Sequence, residues 1–413
     1  MSSPMTRRHI LGAATAAGAT VLLGSGTAAS AARAALGPAP VPSRATAADV
    51  APEERAFLEG LKQVADPQCD EAVSEAFERG QGAAVNEALK GWKTNGQAIP
   101  GGLPAKLRDF LETTRRLPSW VDPEALAAGH RFGMAHAQQI SFAAVLDVTP
   151  ERMRFPAAAA AIIGIEGPHD NKQGFAKALR AVGDILHKTP YGPEGAAFVT
   201  PARVRMAHSA VRYLLHTEGH WDTAKWGLPI NQLDLLAEGS LFTSYLIDHL
   251  DKLGVHPSEQ EAEAYFHECR VGGYLMGIRA DGMPPTLAAA RKRAAAVDAV
   301  HARVTPQSAK YVKATIEYFS SLAGPKEITV PPATALVRYM IGDVDADAFD
   351  LARSTWDAVV PTAVHGFFTG TQAGGLPTPS ATMTRVAVQM VERAMNDGKR
   401  AELTMPLHLY GHR

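Results

Sequence analysis

Cysteine is nearly missing from this chain: Cys69 and Cys269 are the two present in 413 residues. Two are too few for a disulfide framework, so they read as separate buried thiols, with pairing in an oxidising compartment as the alternative. An excess of one charge is missing as well. Lys and Arg number 41 against 42 Asp and Glu, a formal net charge of −1, which leaves no strong field to point at nucleic acid or an acidic membrane surface. Alternating strand patterns are scarce, and Glu327 to Val330 is the best candidate. Beyond the N-terminal segment no apolar run is long enough to span a bilayer. There is also no glycine-rich phosphate loop, no G-x-S-x-G elbow and no cysteine cluster, which removes several large enzyme classes.

What is present begins with an export signal. "MTRRHILGAATAAGATVLLGSGTAASAARAALG" pairs Arg7 and Arg8 with a short apolar run and A-x-A-like cleavage sites. Thr6 to Leu11 fits the twin-arginine pattern, a route that carries folded proteins, often with a cofactor already bound. An ordinary secretory signal containing two arginines is the alternative. Residues 1–34 are therefore expected to be removed, and the mature protein to be secreted or held in the cell envelope. "GPAPVPSRATAADVAPEE", within residues 35–53 and their border, reads as a flexible lead-in.

From Glu54 to Asp397, candidate helices follow one another with Gly or Pro punctuation, and several open on Pro or on an Asn, Asp or Ser cap. The long ones include Pro123 to Leu146, Pro201 to His216, Asn231 to Leu253 and Ala346 to Thr369. With 46% hydrophobic residues and no internal repeat, the expectation is one large all-α domain over residues 54–397, a layered bundle rather than a solenoid, with residues 398–413 as a C-terminal tail.

Histidine is the remaining source of chemistry. In "RVRMAHSAVRYLL", Arg203 to Leu215, a helical wheel gathers Arg205, Ser209, Arg212 and the following His216 on one narrow stripe, with apolar residues filling the rest. His208 lies at the edge of that stripe, against Leu215. So thin a polar stripe implies burial on most sides, and buried cations need partners. Those partners are carboxylates elsewhere in the fold or, in the sharper reading, an anionic ligand or a metal cofactor with acidic groups and His208 as its ligand. "HTEGHWD" places His216 and His220 four apart, which invites comparison with H-E-x-x-H zinc sites. Glu218 is misplaced for that motif, and Gly219 weakens the helix that must present both ligands. His130 and His136 lie six apart on different sides of a helix and read as packing or surface residues.

The same stretch resembles the R-x-R-x-x-H-x-x-V-R signature of the MpaB and rubber-oxygenase family, which includes the latex-clearing proteins. Three further segments agree in the same order: "LPSWVDPEALAAGHRFGMAHAQQISFAAVL", "LPINQLDLLAEGSLFTSYLIDHL" and "MGIRADGMPPTL". Together they cover roughly Leu117 to Leu287.

The resemblance implies an all-α fold with a globin-like core around haem b, and His208 as the axial ligand of its iron. It implies that Arg205, Arg212 and Arg338 serve the haem propionates, since guanidinium forks suit carboxylates. It also implies a distal lysine, Lys177 in "GFAKALRAVGDIL", and a carboxylate base for which Glu166 is the nearest acid. The family's arginine and threonine beside that lysine correspond here to Gly174 and Ala178, a departure that sets this distal pocket apart. The implied activity is an exported, haem-dependent dioxygenase that cleaves C=C bonds of an apolar isoprenoid or polyisoprene with O₂ to give aldehyde and ketone ends. It would act as a monomer, with the Phe and Leu residues of Leu235 to Leu246 lining a channel or simply forming core. Two alternatives stand beside it: a secreted haem-binding protein without turnover, and a zinc-dependent hydrolase built on His216 and His220.

Overall fold

The computed structural model describes residues 46–166, 172–218, 221–373 and 380–409, and among these every regular element is helical. The chain order begins with α1 (Pro52–Leu61), α2 (Pro67–Glu78), α3 (Gly82–Leu89), α4 (Ala105–Thr113), α5 (Pro123–Ala135) and α6 (Ala137–Ala143). It continues with α7 (Pro156–Glu166), α8 (Lys172–Ile185), α9 (Val199–Thr217), α10 (Gln232–Ser240) and α11 (Glu259–Leu275). It closes with α12 (Leu287–His301), α13 (Pro306–Ala323), α14 (Lys326–Ile341), α15 (Val360–Ala373) and α16 (Ala381–Met395).

The helix starts are written in side chains that satisfy the first free backbone N–H groups. The Asp122 carboxylate accepts from the N–H of Glu124 at 2.8 Å and of Ala125 at 3.2 Å, opening α5. Asn231 opens α10, accepting from the N–H of Leu233 and Asp234. Ser258 and Thr305 begin α11 and α13 within capping boxes.

Three expectations from the sequence change. The candidate strand Glu327 to Val330 is the first part of α14, entered through Pro325, with Pro331 and Pro332 inside the helix. As the sixth and seventh helical residues, Pro331 and Pro332 cannot donate to the carbonyls of Glu327 and Ile328, and the β-branched run before them still enters the helical frame. The boundary at Asp397 does not separate a tail. The Ala401 N–H donates to Glu392 Oε1 at 2.7 Å, Asn86 exchanges two hydrogen bonds with the Met405 backbone, and Leu409 packs against Val211, Leu214 and Leu215. Within the expected lead-in, Ala47–Asp49 form a turn capped by Thr46, and α1 starts at Pro52.

The main core gathers Phe132, Leu236, Leu241, Tyr265, Phe266, Met340 and Phe368. A second core joins α2, α3 and α4 to α9 through Trp92, Leu107, Phe110, Met206 and Ala210. A third joins α8 to α16 through Phe175, Leu179, Val388 and Met395. Of the expected channel residues, Leu236, Leu241 and Leu246 are buried in the main core and Leu235 in a small cluster with Ile278 and Met283, while Phe242 is exposed.

Two helices contain π turns, Ala144–Val148 and Leu241–Tyr245, and both feed a buried ionic network. Arg154 is 1% exposed. Its Nε lies 2.6 Å from Glu151, its two terminal nitrogens hold Asp298 at 3.0 and 3.2 Å, and Asp345 stands 3.6 Å away. Tyr245, at the end of the second π turn, donates to Asp298. Asp147, in the first, meets His249 Nδ1 at 2.5 Å.

Candidate functional site around His208

Helix α9 carries His208 through the middle of the fold and is buried along most of its length. Its three arginines are each fixed by specific partners. Arg203 donates from Nε to the Leu403 carbonyl at 2.8 Å and from Nη1 to that of Trp92 at 3.3 Å. Burial and the neighbouring Arg180 lower its pKa to about 10. Arg205 grips Asp66 with a two-pronged fork, Nε to Oδ2 at 2.7 Å and Nη2 to Oδ1 at 2.9 Å, and lies over the Phe110 ring at 4.8 Å. Arg212 donates to Asp70 Oδ1 at 2.7 Å, to the Ile230 carbonyl at 3.0 Å and to Ser209 Oγ at 3.0 Å. Of the two classes of partner open to these arginines, carboxylates within the fold are therefore in place.

His208 differs from its neighbours on α9. The ring is half-buried, and it forms no hydrogen bond or ion pair with another described residue. Burial lowers its pKa to about 3, helped by Arg212, Arg152 and Arg205 and opposed by Asp66. Protein mass thus surrounds a neutral imidazole whose nitrogens still have accessible surface. Such a ring keeps a nitrogen lone pair that no described residue uses.

Helix α7 crosses α9 nearby: a Cβ placed on Gly164 would touch Leu215 at 3.4 Å, and Ala161 packs with Leu214 and Leu215. Its sequence from Pro156 to Ile165, "PAAAAAIIGI", carries no polar side chain. An all-apolar helix is normally packed on every side. Here only Ala159 and Ala161 are fully buried, and the other residues from Pro156 to Ile165 keep some accessible surface without being exposed. Ile162 and Ile163 pack on the cluster of Tyr311 and Val337, and Ile165 on that of Leu214 and Leu215, so the helix has apolar neighbours and keeps residual accessible surface along its length.

The other expected site residues are distributed as follows. Lys177 is half-buried on α8 and is not free. On the same helix Gly174 has no side chain to offer, and Ala178 is exposed. Glu166 ends α7, and its side chain lies outside the described residues. Arg338 belongs to another cluster: it is 3% exposed and donates to the Leu351 carbonyl at 2.8 Å, to Asp343 at 2.6 Å and to Asp347 at 2.8 Å. His216 is exposed on the last turn of α9, and His220 lies outside the described residues. Among the described residues no group of three or more His, Cys, Asp or Glu is arranged to hold a metal ion. Cys69 and Cys269 are unpaired. His130 is more than a packing residue. Its Nδ1 meets Glu268 Oε1 at 2.8 Å and its Nε2 meets the His187 carbonyl at 3.0 Å, tying α5 and α11 to the segment after α8.

Sequence reasoning passed over Asp66 and Asp70, which hold the two arginines flanking His208. The available signal was "DPQCD", two acids four apart at a Pro-initiated helix start, matching two arginines seven apart on a buried helix.

Comparison with known proteins gives the same direction. Residues 153–373 match the family described as ER-bound oxygenase mpaB/B'/Rubber oxygenase, catalytic domain. The chain is 29% identical over 351 residues to the rubber oxygenase of Streptomyces sp. (strain K30), covering 83% of this chain and 85% of that protein. A solved structure of latex clearing protein LCP in the closed state superposes with a TM-score of 0.69 at 27% identity, covering 84% of this chain and 94% of the other.

Proposed function

Because this chain belongs to the mpaB and rubber-oxygenase family, we propose that it is a haem-b-dependent dioxygenase of apolar isoprenoid or polyisoprene C=C bonds, with His208 as the residue that would hold the iron. The observation that carries the reading is a half-buried, neutral His208 ring without a hydrogen-bond partner among the described residues, next to an all-apolar helix with residual accessible surface. These residues fit the group: a metal-ligating histidine must present an unprotonated nitrogen, and a porphyrin face requires apolar neighbours. Bound haem would supply O₂ binding and oxygen delivery to the double bond, chemistry that the side chains cannot perform alone.

The chain's own contribution is to hold the imidazole, exclude water and admit an apolar chain. Lys177 is the proposed distal group and Glu166 the proposed base. Arg205 and Arg212 place α9, and their carboxylate partners within the fold make this anchoring their first role, with any contact to propionates secondary. For Arg338 the partners Asp343 and Asp347 support anchoring of α14 to the loop after it. We further propose export through the twin-arginine route on the basis of Arg7 and Arg8. No helix among the described residues is long and apolar enough to cross a membrane.

One observation favours a second reading, a haem-binding protein without turnover: Gly174 and the exposed Ala178 supply no polar group beside Lys177. The test separates the two. Protein from a haem-replete host is examined by absorption spectroscopy and a pyridine haemochrome assay, then by O₂ uptake with polyisoprene or squalene. A Soret band with O₂ consumption and carbonyl products is expected, His208→Ala should abolish haem retention, and His216→Ala should keep it. Haem without turnover selects the second reading, and colourless, iron-free protein overturns both.

A further inference from the structure

The acids opposite His208 act on more than folding. We infer that Asp66 and Asp70 are positioning residues for His208, a two-point carboxylate clamp that sets the rotation of α9 and, through Asp66, the charge beside the ligating ring. The inference rests on the reading of His208 as a haem ligand.

The geometry is that of a clamp built for two arginines. Arg205 lies about one turn before His208 and Arg212 about one turn after it, so fixing both fixes the azimuth of the ring between them. Asp66 and Asp70 stand one turn apart at the start of α2, and the Asp66 N–H donates to Asp70 Oδ2 at 3.1 Å, joining the two jaws. Between them Cys69 is fully buried, and Ala72, Val73 and Ala76 let α2 approach Ala202, Met206 and Ala210 of α9.

The Asp66–Arg205 pair is also walled in. Gly277, at φ +94°, passes so close that a Cβ there would lie 3.0 Å from Arg205 Nε and 3.2 Å from Asp66 Oδ2. Gln232 holds that wall by donating to the Ala65 carbonyl at 2.7 Å and the Gly277 carbonyl at 2.9 Å. A pair so enclosed has little freedom to swing away.

The two acids are not equivalent. Asp66 has a side chain 8% exposed, whereas that of Asp70 is 29% exposed. Asp66 closes a two-oxygen fork on Arg205, which lies one helical turn from His208 on α9, and so neutralises the guanidinium nearest to the ring in the chain. Neutralising Asp66 therefore leaves the ring's surroundings one unit more positive. Iron held there would favour its lower charge state, because outer-shell charge tunes the metal through its ligand.

The test compares the full chain with Asp66→Asn, Asp66→Glu and Asp70→Asn, each loaded with haem. The readouts are midpoint potential by spectroelectrochemistry, haem transfer to an acceptor protein, and thermal unfolding of the haem-free protein. We expect Asp66→Asn to shift the potential positive and lose haem about tenfold faster or more. Asp66→Glu should restore the wild-type potential, and Asp70→Asn should speed haem loss with a smaller change in potential. Should Asp66→Asn fail to fold, the Asp66→Glu and Asp70→Asn comparison decides: a larger potential shift in the charge-keeping Asp66→Glu overturns the inference. Equal potentials in Asp66→Asn and wild type, or equal shifts in Asp66→Asn and Asp66→Glu, overturn it too. Failure of the underlying reading looks different, since wild type itself would then take up no haem.

Discussion

Replacing Gly129 by alanine sets two known effects against each other. In a helix interior the exchange normally stabilises by about 1 kcal/mol, because glycine loses more backbone freedom on folding. In α5, however, a Cβ at position 129 would lie 2.2 Å from the Ala264 carbonyl oxygen, 2.8 Å from its carbon and 3.0 Å from the Glu268 Cβ. The obstacle is backbone of α11, so no rotamer change removes it. Relief requires the two helices to part by about 1 Å, a gap that forfeits a quarter to a half of the dispersion energy at each contact across it. That interface includes Leu126, Phe132, Tyr265 and Val271, all buried.

Overpacking of a tight core costs about 1–3 kcal/mol and sometimes more, and a backbone obstacle belongs at the upper end. A net loss of about 2 kcal/mol is expected. Gly272→Ala is the matched control, since a Cβ there meets nothing within 4 Å; it should be neutral or stabilise by up to about 1 kcal/mol. Urea unfolding followed by circular dichroism compares the midpoints at constant slope. If Gly129→Ala gains stability as Gly272→Ala does, the close approach of α5 and α11 is wrong.

Arg154→Met should destabilise by about 3–5 kcal/mol, because Glu151, Asp298 and Asp345 lose the cation they share in the interior; a loss below about 1 kcal/mol in urea unfolding would show that the network is not held by that charge. Asp234 is buried at the start of α10, which raises its pKa to about 7. A folded value above the unfolded one means that this group's stabilisation is full below about pH 4 and is lost as pH rises through 7. Asp234→Asn should therefore flatten that limb of the stability profile and leave the variant more stable than wild type at pH 8. Parallel profiles for the two proteins would refute this.

Much of the fold was legible because it is written locally. Proline and cap residues mark helix starts such as Asp122, Asn231 and Ser258, and the all-apolar α7 and the thin polar stripe of α9 both stand out in composition. What escaped depends on geometry that periodicity assumes away. The run from Asn231 to Leu253 reads as one helix, yet the π turn Leu241–Tyr245 interrupts it and brings Tyr245 to Asp298. Ala346 to Thr369 reads as one helix and is broken between Phe349 and Ser354, where Leu351 offers its carbonyl to Arg338. The site divided in the same way. The arginines flanking His208 were visible on one helix, whereas Asp66 and Asp70 lie 139 and 142 residues away in the chain. Nothing in a single sequence pairs such distant residues, so ligand anions stayed open beside fold carboxylates as partners.

The resulting arrangement keeps full charges away from one element. Buried charge lies before α7, at Arg154 and its acids, and across α9, at Arg205 with Asp66 and Arg212 with Asp70. Between Pro156 and Ile165, α7 carries none. An unpaired charge facing an apolar space would bind water there and attract counter-ions, whereas a charge closed into a pair with its own acid does neither. On this view the ion pairs keep the apolar surroundings of α7 free of unpaired charge as much as they brace the helices. A single acid removed from such a pair leaves its arginine unpaired, so potential and haem retention should respond to Asp66 together with thermal stability.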